Sequence, residues 1–327
     1  MALGTHREAN LELTIDAAGV AKTYSDGAGL RGLDLQVSPG SVVGLIGPSG
    51  AGKTTAVRLL LGLLSRDEGE LVVLGSDPEH FDGRTRSQLG YLPQDTALYP
   101  TLSVRENLDF VAALHGLRGK RRATACEAVL ETVELADVQE RRLDKLSGGM
   151  RRRAGLAAAL VHGPSLMFLD EPTAGQDPVL RRSIWDHLDS LGGEGSTLIV
   201  TTQYVGEAVF CDVIVFLAEG EVIAIGDPEQ LRRDAFGGEL IDVTFEEPPG
   251  WEAIETIGKS IEAAQSSLLG YRSVRYIVPD AGSALPRVTE VARERGLEVV
   301  ETDRVVPEFD EVFVRMVDDH TSRGSGQ

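Results

Sequence analysis

A phosphate-binding pattern, G-x-x-x-x-G-K-[ST], is the most constraining feature of the sequence, and it reads Gly47-Pro48-Ser49-Gly50-Ala51-Gly52-Lys53-Thr54-Thr55. Residues 41–46 before it form an apolar run of strand length, and residues 56–64 after it are helix-forming with one apolar face. Small residues let backbone N–H groups close around phosphates, and the helix dipole adds to the attraction. We therefore predict a nucleoside triphosphate site, with Lys53 reaching the β- and γ-phosphates and the Thr54 hydroxyl on Mg²⁺.

The charge balance is strongly acidic, since 32 Lys and Arg residues against 51 Asp and Glu residues give a formal charge of −19. Such a field argues against nucleic acid as the main partner and against unaided docking on anionic lipid. The sequence shows neither a membrane-spanning run of ~18–20 apolar residues nor a signal-peptide core in residues 1–10. We therefore expect a cytoplasmic protein, in which Cys126 and Cys211 are buried reduced thiols.

The order of apolar patterns predicts an α/β domain over residues 1–237, interrupted by a helical insertion at about 95–162. A small α+β domain is predicted over residues 238–318, followed by a disordered tail at 319–327. Two basic clusters in the insertion, Arg118–Arg122 and Arg151–Arg153, are interpreted as solvated helix surface or as a contact surface for a partner. In the second domain the predicted order is strand 240–245, helix about 251–269, strand 273–278, helix 283–295, strand 297–303 and helix 308–316.

Two acidic residues, Asp170 and Glu171, follow the apolar strand 166–169. An aspartate at a strand end opposite a phosphate-binding loop can hold Mg²⁺, directly or through water. The next carboxylate can orient and deprotonate the attacking water. We therefore predict that Asp170 is a metal-site residue and that Glu171 is a general base for hydrolysis.

A second anion site is predicted at Leu146-Ser147-Gly148-Gly149, where a hydroxyl and glycine amides open a helix. With this motif the sequence resembles the ABC transporter ATPase family over residues 11 to about 234. In that family two ATPase domains enclose two ATP molecules, each between one P-loop and the signature motif of the partner. The resemblance therefore implies a homodimer that binds ATP and Mg²⁺.

The resemblance also implies roles for individual residues. Tyr24 matches the aromatic residue that stacks on adenine, and Ser147, Gly148 and Gly149 match the signature. Gln94 matches the glutamine that senses Mg²⁺ and the attacking water and signals to the membrane subunit.

Further along the chain, Asp170 and Glu171 match the Mg²⁺-site acid and the catalytic base of the family. Asp177 matches the aspartate that communicates across the dimer.

Two positions depart from the family pattern. Met150 stands where the signature usually has Gln, and Gln203 stands where the family usually has a switch histidine. Glutamine can donate a hydrogen bond to a γ-phosphate oxygen but carries no positive charge. Gln203 is expected either to contact the γ-phosphate or only to cap the helix that follows it.

Several features favour the branch that exports drugs, lipids or polysaccharides, with daunorubicin and doxorubicin resistance ATPases the closest likeness. They are the runs 148–153, 201–204 and 307–313 together with the acidic C-terminal domain. The predicted function is that of the ATPase subunit of an exporter, at the cytoplasmic face of the membrane and bound to a separate permease. The alternatives are an import ATPase, a soluble ABC ATPase acting on DNA or ribosomes, and a catalytically weak regulatory module.

Overall fold

The computed structural model of the protein describes residues 13–25, 27–95 and 97–324, and its contacts divide the chain between Ile225 and Gly226. The sequence-based predictions for residues 1–12 and 325–327 lie outside the described residues. The predicted domain boundary at residue 237 lies later than this division. The difference arises because the helix at 228–236 packs against elements of the second unit.

The first unit alternates strands and helices. Its strands are β1 (Ile15–Thr23), β2 (Gly29–Val37), β3 (Val42–Ile46), β4 (Glu68–Val73), β5 (Leu89–Leu92), β6 (Leu166–Asp170), β7 (Thr197–Thr202), β8 (Val213–Ala218) and β9 (Glu221–Gly226). Its helices are α1 (Lys53–Leu60), α2 (Gly83–Arg86), α3 (Val104–Leu114), α4 (Gly119–Thr132), α5 (Gly148–Leu160) and α6 (Pro178–Gly193).

These strands form one sheet in the order β4-β1-β2-β9-β8-β3-β7-β6-β5. Strand β3 runs parallel to β7 and β8, and β6 runs parallel to β5 and β7. All residues of β3, β6 and β7 are buried, as in a parallel sheet covered on both faces. The carboxyl ends of these parallel strands share one edge, which therefore carries the P-loop, Gln94, Asp170 and Gln203.

The helical insertion contains α3, α4 and α5, and α5 packs closely on β5. Gly90 in β5 permits this approach, because a Cβ atom there would lie 2.6 Å from the carbonyl oxygen of Ala159. The opening residues of α5, which carry the predicted signature, are thereby held near the end of β5.

The second unit has its own elements and core. They are α7 (Pro228–Phe236), β10 (Glu239–Phe245), α8 (Trp251–Ser260), β11 (Gln265–Leu268), β12 (Ser273–Val278), α9 (Ala281–Glu294), β13 (Val299–Val305) and α10 (Phe309–Gly324). Its four strands form an antiparallel sheet in the order β11-β12-β10-β13. Residues of α8 and α9 pack with β10 and β12 in one apolar cluster. The predicted fold class, an ATPase-type α/β domain followed by a small α+β domain, is confirmed.

Two predictions for the second unit are wrong. The helix predicted at about 251–269 ends at Ser260, because Glu262 adopts a left-handed conformation with φ 55°, typical of a helix end, and β11 then pairs with β12. The tail predicted to be disordered from residue 319 is helical through Gly324. Its side chains support the helix, since the hydroxyls of Thr321 and Ser322 donate to carbonyls one turn earlier.

We predict that Gly90→Ala lowers the free energy of unfolding by about 1–3 kcal/mol, because the added methyl group meets the backbone of α5. Gly193→Ala is the matched control, since a Cβ atom there meets open space and alanine favours the helix by up to ~1 kcal/mol. Urea unfolding of both variants measures the difference. Equal midpoints for the two variants would show that α5 and β5 do not pack this closely.

Candidate nucleotide-binding and catalytic site

The predicted phosphate-binding loop connects β3 to α1, as the sequence pattern requires. Gly47 lies so close to the neighbouring strand that a Cβ atom would stand 2.0 Å from the carbonyl oxygen of Leu217. Gly50 and Gly52 have φ values of 80° and 99°, a region that favours glycine, and Gly52 is the N-cap of α1. The backbone can therefore curl around a phosphate group at the positive end of a helix.

Lys53 lies inside this loop and is only 5% exposed. Its ammonium group donates to the carbonyl oxygens of Gly47 at 2.7 Å and Pro48 at 2.8 Å. Burial lowers the pKa of Lys53, whereas the carboxylates of Glu171 and Asp170 oppose that shift. A triphosphate in the loop would supply the negative charge that favours the protonated ammonium group.

Asp170 ends β6 two strands away from the loop and is almost fully buried. Its carboxylate accepts a hydrogen bond from the Thr54 hydroxyl at 3.0 Å and another from the Thr201 hydroxyl. A hydroxyl beside a carboxylate is a pair of oxygen ligands of the kind that Mg²⁺ prefers. Thr54 and Asp170, predicted as metal-site residues 116 positions apart, are thus in direct contact.

Glu171 has a left-handed backbone with φ 53°, which is uncommon for a residue with a side chain. Its amide donates to the carbonyl oxygen of Thr201 at 3.1 Å and to the Thr201 hydroxyl at 3.0 Å. Its carbonyl oxygen accepts from the Ala174 amide at 3.1 Å and from the Arg152 guanidinium at 3.2 Å. Backbone strain of this kind persists only where neighbouring groups hold it, and it often occurs at functional sites.

A cavity of about 500 Å³ lies where the helical insertion meets the strand ends. It brings together the half-buried Glu171, Gln94 from the loop after β5, and Gly148 from the predicted signature. The P-loop does not line this cavity within the part of the chain that the structure describes. Gln94 is exposed and therefore free to contact a bound group.

The predicted signature residue Ser147 is the exposed N-cap of α5, and its hydroxyl accepts from the Met150 amide at 3.2 Å. Gly148 and Gly149 form the first turn of that helix. Asp177 is the exposed N-cap of α6, and its carboxylate accepts from two backbone amides. Ser147 and Asp177 thus have structural capping roles, and both remain accessible to a further ligand or subunit.

Two predicted contact residues flank the site. Tyr24 is half-buried, and its hydroxyl lies 3.5 Å from the Thr55 hydroxyl at the end of the P-loop. Gln203 follows β7 and is exposed. The next helical segment, Val205–Phe210, has Tyr204 as its N-cap, so Gln203 is not the capping residue.

Four buried residues that sequence reasoning missed support the site. Thr201 orients Asp170 and Glu171, and Arg152 contacts the ends of β5 and β6. The side-chain amide of Gln176 donates to the Gly149 carbonyl at 3.3 Å, and Glu207 accepts from the Thr173 hydroxyl at 2.8 Å.

The interpretation of Arg151–Arg153 as solvated surface was wrong for Arg152, which is 7% exposed. Its spacing from the buried Gly155, Leu156 and Ala159 of α5 was the available signal.

A strand–loop–helix unit that holds a buried lysine, together with an acidic strand end in contact with the loop, defines a P-loop ATPase. The sequence profile described as ABC transporter matches residues 30–174. The daunorubicin resistance ATP-binding protein DrrA3 of Streptomyces coeruleorubidus is 38% identical over 95% of this chain and 97% of its own length. The Nod factor export ATP-binding protein I of Rhizobium etli is 35% identical over 92% of each chain.

Solved structures show the same architecture. One described as the ATP-binding subunit of an ABC transporter superposes with a TM-score of 0.62 at 26% identity, covering 68% of this chain and 93% of that one. The ATP-binding cassette MJ0796, in a dimeric post-hydrolysis state bound to ADP and Pi, has a TM-score of 0.60 at 27% identity, covering 65% and 98%. The chain therefore belongs to the ABC transporter family, and its first unit is the ATPase domain of that family. Among the described residues, no helix has the length and hydrophobicity needed to cross a bilayer.

We predict that Thr201→Val lowers ATP hydrolysis by ~10–100-fold, the usual effect of removing a group that orients a metal-binding carboxylate. Valine keeps the volume but loses the hydroxyl that contacts Asp170 and the Glu171 amide. Thr201→Ser is the matched control and should stay within a few-fold of wild type. A Thr201→Val rate equal to that of wild type would show that this hydroxyl does not orient the two acids.

Proposed function

We propose that this chain is the ATP-hydrolysing subunit of an exporter and that it drives transport through a separate membrane subunit. The observation that carries the catalytic part is the contact between Thr54 and Asp170, with Glu171 next in the chain. The relatives that match along nearly their whole length support the export part, since their names refer to drug resistance and to Nod factor export. An import ATPase has no comparable support in the features of this chain.

In the proposed reaction Lys53 binds the β- and γ-phosphates, and the amides of the P-loop hold the same groups. Thr54, Asp170 and Gln94 would hold Mg²⁺, which when bound neutralises charge on the phosphate oxygens. Glu171 orients the attacking water and accepts its proton. This role is supported by the neighbouring Asp170, a buried residue whose carboxylate contacts Thr54 of the phosphate-binding loop.

The remaining site residues have proposed roles at the edges of the nucleotide. Tyr24, beside Thr55, stacks on the adenine ring. Gln203 is exposed after β7 and donates to a γ-phosphate oxygen as a neutral group. Gln94 links the catalytic edge to the membrane subunit.

We further propose that two copies of the chain complete two ATP sites. Ser147 and Gly148 at the start of α5 are exposed, as a site open to a partner's nucleotide requires. Asp177 is exposed and follows Gln176, whose side chain donates to the Gly149 carbonyl, and we propose that it contacts the second copy. MJ0796, which shares this fold, has been solved as a dimer. The subunit would be held at the cytoplasmic face of the membrane by its permease.

We expect Glu171→Gln to keep ATP binding but to lower turnover by ~10²–10⁴-fold, the range typical of a lost general base. The ATP-bound variant should accumulate as a closed dimer, which light scattering detects as a doubled mass. Glu262→Gln is the control, because Glu262 is also a glutamate in a left-handed conformation but is exposed and lies in the second unit. Turnover of Glu171→Gln within a few-fold of that control would remove Glu171 from its proposed role.

The export proposal is tested by purifying the chain with the membrane subunit that binds it and reconstituting both in vesicles. We expect ATP added on the side of this chain to move a cargo away from it, and Glu171→Gln to abolish that movement. Movement of cargo toward the ATP side would identify an importer. Failure of an ATP-hydrolysing chain to bind any membrane subunit or to drive transport would favour the soluble or regulatory alternatives.

A further inference from the structure

Arg152 joins three parts of the ATPase domain through one buried side chain. It lies in the second turn of α5 and is 7% exposed. Its guanidinium donates to the carbonyl oxygens of Pro93 and Gln94 after β5, the latter at 2.7 Å. It also donates to the carbonyl oxygens of Asp170 and Glu171 at the end of β6, the latter at 3.2 Å.

The acceptors of Arg152 are carbonyl oxygens of the backbone rather than carboxylate side chains. A buried guanidinium is costly unless its N–H groups are paired, and a planar fork of donors can pair with several carbonyls at once. Burial lowers the pKa of Arg152, and the nearby carboxylates of Asp170 and Glu171 oppose that shift. The Arg152 side chain therefore fixes the positions of the loops that follow β5 and β6. It leaves the carboxylates of Asp170 and Glu171 available to other ligands.

The contact with Glu171 has a specific consequence. The left-handed backbone of Glu171 is held on its amide side by Thr201, and on its carbonyl side by the Ala174 amide and Arg152. Of these groups, Arg152 belongs to the helix that begins with Ser147, Gly148 and Gly149. A shift of that helix would thus act directly on the backbone of the proposed base.

We propose that Arg152 is a positioning residue for ATP hydrolysis, which sets the place of Glu171 and of the Gln94 loop according to the position of the signature helix. This inference rests on the proposed function, in which Glu171 is the base. Arg152 touches no reacting group itself. Its effect is to couple binding at the signature to the geometry of the water-activating carboxylate.

The same helix supplies a matched comparison. Arg153, the next residue, also donates to backbone carbonyls, those of Val133 and Glu134 at the end of α4. Those contacts stay within the helical insertion and reach neither strand end. A general loss of helix packing should therefore follow substitution at either arginine, whereas a loss of base positioning should follow only at Arg152.

The test measures single-turnover hydrolysis and ATP affinity of the full chain for Arg152→Lys, Arg152→Gln and the control Arg153→Lys. Lysine keeps the charge but lacks the planar fork, so it cannot hold both strand ends. We expect both Arg152 variants to lower the hydrolysis rate by ~10–100-fold, as a misplaced catalytic group does. ATP affinity should change less than about threefold, and Arg153→Lys should hydrolyse at close to the wild-type rate.

A double-mutant cycle with Glu171→Gln separates positioning from a general structural role. If Arg152 acts through Glu171, Arg152→Lys should lower the residual rate of Glu171→Gln by less than about threefold, because the group it positions is already lost. An equal loss in both backgrounds would overturn the proposal while leaving Glu171 as the base. A wild-type rate in Arg152→Lys, or loss of ATP binding in both Arg152 variants, would also overturn it. A wild-type rate in Glu171→Gln would instead defeat the proposed function itself.

Discussion

The hydrogen bond from Thr54 to Asp170 is the contact on which the catalytic edge depends. It exists because β3 and β6 run parallel with only β7 between them, so that their carboxyl ends meet at one edge of the sheet. A loop that closes around phosphates after β3 then faces an acidic residue that ends β6. All residues of these three strands are buried, so the site is built on the best-packed part of the sheet rather than on loops alone.

Two buried side chains hold the residues around this contact. Thr201 supports both acids from β7, and Arg152 supports the strand ends from α5. Glu171 can therefore keep a left-handed conformation that an isolated peptide would avoid. The opening residues of α5 are exposed beside a cavity that the described P-loop residues do not line, and in the proposed dimer they serve the nucleotide bound to the partner's P-loop.

The P-loop, Asp170 and the succession of strands along the chain could be predicted from the sequence. Each is a local pattern of residue types with a known backbone requirement. Arg152 could not be recognised from its cluster, since three consecutive arginines resemble a solvated surface and only the helical spacing separates the buried one. Strand β11 was missed for a related reason. Its residues Gln265–Leu268 have no strong strand preference, and pairing with β12 determines their conformation.

The central claim is that each ATP site is completed by a second copy of the chain, and mixing two inactive variants tests it most directly. Lys53→Ala removes the P-loop cation, and Ser147→Arg fills the signature site with a bulky side chain. In a mixed dimer one site combines the intact P-loop of one chain with the intact signature of the other. The account predicts that each variant alone is inactive and that an equal mixture hydrolyses ATP. A mixture as inactive as its components, beside an active wild-type chain, would contradict it.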